Sequence, residues 1–315
     1  MVKVSLVKGN DSYKAVREAL ELIRADVQVP QDRPILVKPN MVAPDVELCA
    51  TPVEAVRATL DFLQSLGVKR FIIGEATALA EGDTMGAFKR YGYLPLKDRY
   101  DIEFRDFSQD QLVTFEALDQ RLQPVHIRLA KTYFESYIVS VARMKSHSQV
   151  VATLSIKNIA IGSIYNPDRH SWAWHKPEPD KFAHDPKPLN LSIARLYQTI
   201  SPDLAIVDGV VGMEGNGPVD GTPIASGVAL ASTDALALDL LGTEIMGFDW
   251  RTVGYLWYLS QIRGLTRQDV QVIGADPATC ITRYRAHDKF SWQLGWWVEN
   301  WREYLKGGYV REREA

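Results

Sequence analysis

The sequence is poor in cysteine, and this scarcity excludes several kinds of protein. Among 315 residues only Cys49 and Cys280 are cysteines, which is too few for a disulfide framework. An iron–sulfur cluster held by four thiolates is excluded for the same reason. The sequence also lacks a run of about 18 apolar residues, so no membrane partner is expected. The first ten residues contain neither a long apolar run nor a small-residue cleavage site, which predicts a cytoplasmic protein.

An excess of basic residues is lacking as well. The formal net charge is −3, with 36 Lys and Arg against 39 Asp and Glu, and the pI is about 6.1. A nucleic-acid-binding domain normally carries a basic patch and a high pI, so no nucleic-acid partner is expected. The 46% hydrophobic content is ordinary for a globular protein of this size, whose core needs neither a metal nor a disulfide.

Short apolar runs alternate with amphipathic segments, which is the pattern of an α/β protein. Residues 35–37 and 71–73 are predicted as buried strands, and Thr51 with Pro52 begins a helix between them that ends at Gly67. These segments form a βαβ unit with a right-handed crossover, which favours a layered, mostly parallel sheet. Further strands are predicted at 2–9, 137–144, 203–210 and 227–232, and further helices at 11–25, 188–199 and 234–247.

Two segments depart from this pattern. Residues 163–190 are rich in proline, histidine and tryptophan and are predicted to form a long surface loop. Residues 285–305 contain four tryptophans, whose spacing predicts a helix docked on the body of the protein. A homodimer contact or a lid is the alternative for this aromatic segment. We therefore expect an α/β domain over 1–280 and an aromatic-rich helical extension over 281–315.

Polar residues follow four of the predicted strands, at the ends where α/β proteins bind ligands. The residues concerned are Lys38, Asn40, Glu75, Lys145, His147 and Asp208. A buried lysine is unfavourable unless it meets a negative charge. For Lys38 that charge is either an anionic ligand or Glu75 on the neighbouring strand. Lys157 and Asn158 lie in the apolar run SIKNIAIG, and this second buried lysine also requires an anion.

A glycine-rich stretch at 212–221 is a second candidate element of the site. Backbone amides around Gly215 and Gly217 are expected to form an anion-binding nest, with Glu214 and Asn216 facing the same cavity. A plain tight turn is the alternative. Asp234 is predicted to cap a helix, whereas Asp239 lies among leucines and needs a partner such as a lysine.

No metal site is predicted, because no histidine pair has the spacing of a metal-binding motif. Three histidines remain candidates for the site, and with two aspartates they are the alternative metal ligands: His170, His175, His184, Asp168 and Asp185. No GxSxG elbow is present either. The cofactor, if any, is unknown at this point.

Several motifs, in this order, resemble the Domain of Unknown Function 362 family. They are KPNMV at 38–42, TPVEAVRATLDFLQSLGVKRFIIGEA at 51–76, ARMKSHS at 142–148, SIKNIAIG at 155–162, PDLAIVDGVVGMEGNGPVDGTP at 202–223 and STDALALDLLGTEIMGF at 232–248. The resemblance covers about residues 3–275. Many relatives carry an additional ferredoxin-like iron–sulfur module, and this chain lacks its cysteines.

The resemblance implies a site but not a reaction. It maps onto Lys38, Asn40, Glu75, Lys145, His147, Lys157, Asn158, Asp208, Glu214, Asn216 and Asp239. Our first hypothesis is an enzyme of racemase, lyase or isomerase type, in which Lys145, His147 or Glu75 moves a proton on a small molecule that carries a carboxylate or phosphate. The alternatives are a non-catalytic cofactor- or metal-binding or maturation protein, and a redox partner of a separate ferredoxin.

Overall fold

The structure is a computed structural model that describes residues 1–77, 84–165 and 181–307. Its strands are β1 (Val2–Lys8), β2 (Ile35–Lys38), β3 (Arg70–Glu75), β4 (Asp101–Asp106), β5 (Leu112–Leu118), β6 (Pro124–Ala130), β7 (Tyr137–His147), β8 (Val151–Thr153), β9 (Leu204–Asn216), β10 (Asp220–Ile224), β11 (Val228–Ser232) and β12 (Val270–Gly274). Its helices are α1 (Ser12–Leu22), α2 (Val53–Ser65), α3 (Thr84–Arg90), α4 (Thr132–Glu135), α5 (Ser155–Gly162), α6 (Pro186–Thr199), α7 (Ala235–Ile245), α8 (Gly254–Arg263), α9 (Phe290–Gln293) and α10 (Trp301–Tyr304).

A ten-stranded sheet forms the centre of the fold, in the order β12-β1-β11-β9-β7-β2-β3-β4, with β10 paired to β9 and β8 to β7. The pairs that join β9, β7, β2, β3 and β4 are all parallel, whereas β11 runs antiparallel to β9 and β1. The predicted α/β fold with a mostly parallel sheet is therefore confirmed. Parallel strands place their carboxyl ends at one edge, which gathers the residues after β2, β3 and β7.

Helices cover both faces of this sheet, and each face has its own apolar core. One core contains side chains of α5, α6, α7 and α8, and the other contains side chains of α1, α2 and α3. Strands buried on both faces need apolar residues at consecutive positions. This explains why 35–37 and 71–73, which the sequence predicted as strands, lie within β2 and β3.

Local capping residues define several helix ends. The side chain of Asp11 accepts a hydrogen bond from the Lys14 amide at 2.8 Å, and Asp234 accepts one from the Ala237 amide at 3.0 Å. The second contact is the cap predicted for Asp234. At α2 the predicted helix is present, but Thr51 does not cap it. The Thr51 hydroxyl donates to the Val141 carbonyl at 2.7 Å and makes no capping hydrogen bond with the helix. Thr51 instead joins the loop before α2 to the central strand β7.

The C-terminal aromatic segment packs onto the body of the protein. Trp257 contacts Trp296, Trp297 and Trp301, with ring centroids 5.0–5.7 Å apart. The segment does not form one helix, because α9 and α10 are single turns separated by residues with non-helical backbone, including Asn300 at φ 55°. In the described parts of the chain, none of the helices combines the length and apolar character needed to cross a bilayer.

Candidate functional site

A buried ion pair joins the ends of β2 and β3. Lys38 Nζ lies 2.6 Å from Glu75 Oε2, and the two side chains are 0% and 3% exposed. Lys38 also donates to the Pro39 carbonyl at 2.8 Å, while Glu75 accepts from the amides of Met41 and Ala76. Of the two partners predicted for Lys38, the carboxylate of Glu75 is the one present. Burial lowers the pKa of the lysine and raises that of the glutamate, and each charge opposes the shift of the other.

Two asparagines extend this pair into a continuous polar network. Lys38 Nζ donates to Asn158 Oδ1 at 3.2 Å, and Asn40 Nδ2 donates to the same oxygen at 3.0 Å. Lys145 Nζ donates to Asn40 Oδ1 and, at 2.8 Å, to the Cys49 carbonyl. The structure thus brings together residues from β2, β3, β7 and α5, and the two ends of the Lys38–Asn158 contact are 120 positions apart in sequence.

Lys145 carries its charge in this network without a carboxylate partner among the described residues. It is 0% exposed, and burial lowers the pKa of its ammonium group to about 8. The charge of Arg143, two residues earlier on β7, lowers the pKa further. Because its acceptors are a neutral amide and a neutral carbonyl, Lys145 can lose its proton near physiological pH.

Helix α5 delivers Lys157 and Asn158 to the same network. The end of the helix packs directly against Lys38: a Cβ at Gly162 would lie 2.5 Å from Lys38 Cε, so only glycine permits this approach. Lys157 is 8% exposed. Its ammonium group has no hydrogen-bond acceptor or carboxylate within the described ranges, which distinguishes it from Lys38 and Lys145.

The environment of Lys157 strongly disfavours its charged form. Burial lowers the pKa of this lysine to about 7, and the nearby charges of Lys145 and Lys38 add to the effect. The three lysines are therefore close enough to influence one another, as a converging site requires. A lysine with this pKa is partly neutral at physiological pH, and it can either bind an anion or accept a proton.

Asp239 holds the other end of α5. Its two carboxylate oxygens accept hydrogen bonds from the Ser155 and Ile156 amides, both at 2.9 Å. The partner expected from the sequence was a lysine, and the structure supplies two backbone amides instead, because α7 packs against the first turn of α5. Burial raises the pKa of Asp239 to about 8. Through these two contacts Asp239 holds the first turn of α5 in place, and therefore also positions Lys157.

His147 ends β7 and is 6% exposed. Its Nδ1 accepts a hydrogen bond from the Gln149 amide at 3.1 Å, and its carbonyl accepts one from Gln293 Nε2 at 2.6 Å. An Nδ1 that accepts a hydrogen bond leaves Nε2 to carry the proton of a neutral imidazole. The C-terminal segment thus fixes the backbone of a candidate proton carrier.

The glycine-rich stretch is a β-hairpin formed by β9 and β10, so the expectation of an open anion nest is corrected. The amide of Gly215 donates to the Arg285 carbonyl at 2.8 Å, and that of Gly217 donates to the Gly215 carbonyl at 2.9 Å. Both donors are satisfied by the protein itself. The hairpin nevertheless lies against the site, because Ser146 Oγ, beside Lys145, donates to the Gly215 carbonyl at 2.8 Å.

Glu214 and Asn216 bind the C-terminal segment. Glu214 Oε2 accepts from the Arg285 amide at 2.8 Å, and Asn216 Nδ2 donates to Asp288 Oδ2 at the same distance. The Asn216 side-chain oxygen accepts from the Asp288 amide at 3.1 Å. These contacts do not place either side chain against the lysines, contrary to our expectation. They anchor the C-terminal segment that contains Gln293, the residue that donates to the His147 carbonyl.

Asp208 lies in the middle of the sheet, away from Lys157. It lies on the same face of β9 as Leu204 and Ile206, which belong to the core under α1 and α2. Its Oδ1 accepts a hydrogen bond from the Val210 amide at 2.9 Å. Burial raises its pKa, and Arg143 opposes the shift. Sequence reasoning named Arg143 only as part of a motif. Its position two residues before Lys145, on the same face of a buried strand, was the signal that could have found it.

The candidate loop histidines are only partly described. His170 and His175, with Asp168, lie outside the described residues. His184 precedes α6, with its ring 5.0 Å from the ring of Phe182. Within the described ranges, no group of three or more His, Cys, Asp or Glu side chains is arranged to hold a metal ion.

Two solved structures are similar to this chain. One is the lactate racemase apoprotein from Thermoanaerobacterium thermosaccharolyticum, with a TM-score of 0.47 and 12% identity over 76% of this chain and 56% of the other. The second is a protein from Thermotoga maritima, with a TM-score of 0.44 and 12% identity over 81% and 60% of the two chains. This chain therefore spans less than two thirds of the length of either.

A curated relative and a family model give closer matches. The relative is the thylakoid-associated protein sll1697 of Synechocystis sp., which is 32% identical over 265 residues, or 80% of this chain and 77% of the relative. Because this relative is named as thylakoid-associated, the comparison does not confirm a cytoplasmic location for our chain, which stays a prediction. The family model is that of the domain of unknown function DUF362, and it matches residues 35–244, from β2 to α7. These residues contain the whole lysine network, and the protein belongs to the DUF362 family.

Proposed function

We propose that this protein is an enzyme of racemase, lyase or isomerase type that moves a proton on a small molecule bearing a carboxylate or phosphate. The observation that carries the proposal is Lys157, a nearly buried lysine without a partner in the described chain. Removing an ammonium group from water is unfavourable unless a negative charge compensates for it. An anionic ligand beside Lys157, in the first turn of α5, supplies that charge.

The network divides into a fixed part and a reactive part. Lys38 and Glu75 neutralise each other at 2.6 Å, and both oxygens of Glu75 are occupied by amides or by Lys38. We therefore assign Glu75 to positioning Lys38 and Asn158 rather than to proton transfer, which revises the role expected from the sequence. Asn158 in turn accepts a hydrogen bond from Asn40, and Asn40 accepts one from Lys145, so the same network also positions Lys145.

Lys157, Lys145 and His147 form the reactive part. Lys157 binds the carboxylate or phosphate of the ligand as an ammonium ion, because the negative charge of the ligand compensates for its burial. Lys145, with a pKa of about 8, is partly neutral near physiological pH and accepts a proton from the carbon beside the ligand's acidic group. His147 is the candidate that returns a proton, through Nε2.

Solvent-isotope exchange tests this proposal even before the substrate has been identified. The protein is incubated in heavy water with a panel of 2-hydroxy acids, 2-amino acids and phosphate monoesters, and deuterium at carbon is measured by mass spectrometry. We expect incorporation into one compound class. Lys157→Met is expected to abolish it, whereas Lys131→Met is expected to retain it, because Lys131 is exposed and paired with Glu135 at 3.0 Å.

The same experiment separates catalysis from binding alone. If equilibrium dialysis shows that a compound binds through Lys157 while no deuterium enters any compound, the enzymatic proposal fails. The chain is then a non-catalytic binder of the anion. Exchange that persists in Lys157→Met also refutes the role given to this lysine.

A further inference from the structure

Arg143 is a buried cation that the lysine network does not use. It lies on β7 and is 7% exposed. Its Nη1 donates one long hydrogen bond, 3.4 Å, to the Leu48 carbonyl, and its Nε has no acceptor among the residues described. A guanidinium group carries five N–H donors. Most of the hydrogen-bonding capacity of this side chain is therefore unfilled.

The N-terminus of α2 lies against the same space. This helix has 13 residues, and its first turn receives no hydrogen bond from a capping side chain. Thr51, the residue placed to cap it, instead donates to the Val141 carbonyl and accepts from the Asn40 amide at 2.8 Å. The first amides of a helix carry a partial positive charge and favour an anion.

A cleft of about 530 Å³ joins these two features. Arg143, Thr51, Pro52 and Val53 line it, together with Arg90 and Tyr91 at the end of α3. The cleft faces the α2 side of the sheet, where Arg143 neighbours Asp208, whereas Lys157 lies on α5 at the other face. The cleft nevertheless adjoins the lysine network, because Arg143 lies two residues before Lys145 on the same face of β7 and its charge lowers the pKa of Lys145. Binding of a ligand to Arg143 can be tested independently of the reaction proposed above.

Carboxylates at the edge of the cleft limit the charge that it accepts. Asp45, Glu47 and Glu54 also line it, although Glu54 is neutralised by an ion pair with Arg57. The two remaining carboxylates repel a doubly charged phosphate more strongly than a singly charged carboxylate. The planar guanidinium of Arg143 suits a carboxylate, which accepts two parallel hydrogen bonds from it.

We propose that this cleft is a second ligand site, which binds the carboxylate group of a small molecule between Arg143 and the N-terminus of α2. The buried guanidinium supplies the hydrogen-bond donors. The helix terminus supplies further positive charge, and Arg90 also lines the cleft. The ligand class is a monocarboxylate.

Nuclear magnetic resonance of arginine side chains tests this site directly. In ¹⁵N-labelled protein the Nε–H signal of Arg143 is assigned by its loss in Arg143→Lys, and acetate is then titrated against sodium chloride of equal ionic strength. We expect a saturable shift with a millimolar dissociation constant for acetate and none for chloride. Arg57→Lys is the matched control, since Arg57 is on the same helix and pairs with Glu54, and it is expected to leave the Arg143 shift unchanged.

The proposal has two ways to fail. An Arg143 signal that does not respond to acetate beyond the chloride control shows that the guanidinium is structural. A tighter response to inorganic phosphate than to acetate overturns the assignment of the ligand as a monocarboxylate. The melting temperature of Arg143→Gln, compared with wild type in acetate and in chloride, gives a second measurement. Acetate is expected to raise that of the wild type only.

Discussion

Lys157→Met is expected to make the protein more stable, and by an amount that depends on pH. The ordinary lysine pKa is 10.5, and burial with two neighbouring cations lowers that of Lys157 to about 7. At about 1.4 kcal/mol per pKa unit, this difference corresponds to about 5 kcal/mol of folding free energy. Methionine fills a similar volume and has no charge to desolvate.

The sign of the effect follows from proton binding. Between pH 7 and pH 10.5 the unfolded chain holds a proton on Lys157 more often than the folded chain does, so the contribution of this residue to stability rises with pH. The full penalty is present below the folded pKa and disappears above the unfolded one. Substitution by methionine should therefore stabilise by several kcal/mol at about pH 6 and by only about 1 kcal/mol at about pH 9.5.

Urea unfolding of both proteins at the two pH values measures this difference. The comparison between variant and wild type removes the contribution of Asp239, which titrates in the same range in both proteins. Lys131→Met is the control, because this exposed lysine is expected to change stability little at either pH. If Lys157→Met is less stable than wild type, or if its effect is independent of pH, Lys157 holds a structural contact and the reasoning is refuted.

Three further perturbations have defined outcomes. Lys38→Met should lower the free energy of unfolding by about 3–5 kcal/mol, because it leaves Glu75 charged and buried, and adding Glu75→Leu should restore most of the loss in urea unfolding; an unchanged single variant contradicts this. At a pH below about 4, where no carboxylate charge is removed, Asp239→Asn should cost about 1–3 kcal/mol by leaving an α5 amide without an acceptor. Because the pKa of Asp239 is raised from 3.8 to about 8, the contribution of this residue to stability should fall as pH rises through that interval, and unfolding across it should show the trend in the wild type and not in the variant. Asn216→Ala should accelerate hydrogen exchange around Asp288 but not in α1, and equal exchange rates would show that the hairpin does not anchor the segment.

The sequence alone was sufficient to predict those strands and helix caps whose physical cause lies in neighbouring residues. Residues 35–37 are apolar at consecutive positions, and a strand covered on both faces is the structure that buries all of them. Asp11 precedes an amphipathic run and Asp234 precedes an apolar one, and each aspartate caps the helix that follows it. The pairing of Lys38 with Glu75 was also one of two interpretations available from the sequence, because both residues end neighbouring strands of one βαβ unit.

Partners that are distant along the chain could not be predicted. Asp239 needed a partner, but only the packing of α7 against α5 identified two amides 83 and 84 residues away. The glycine content around Gly215 and Gly217 suited an anion-binding loop, yet their amides donate to the carbonyls of Arg285 and Gly215.

The sequence by itself determined which residues are cationic or apolar, and therefore that three lysines would be buried at a cost. Only the tertiary structure decided which of those costs is offset within the protein. Strand order places Glu75 against Lys38 and Asn40 against Lys145, while α5 carries Lys157 to a position without an acceptor in the described chain. Burial follows from composition and pattern, whereas pairing depends on contacts between segments far apart in sequence.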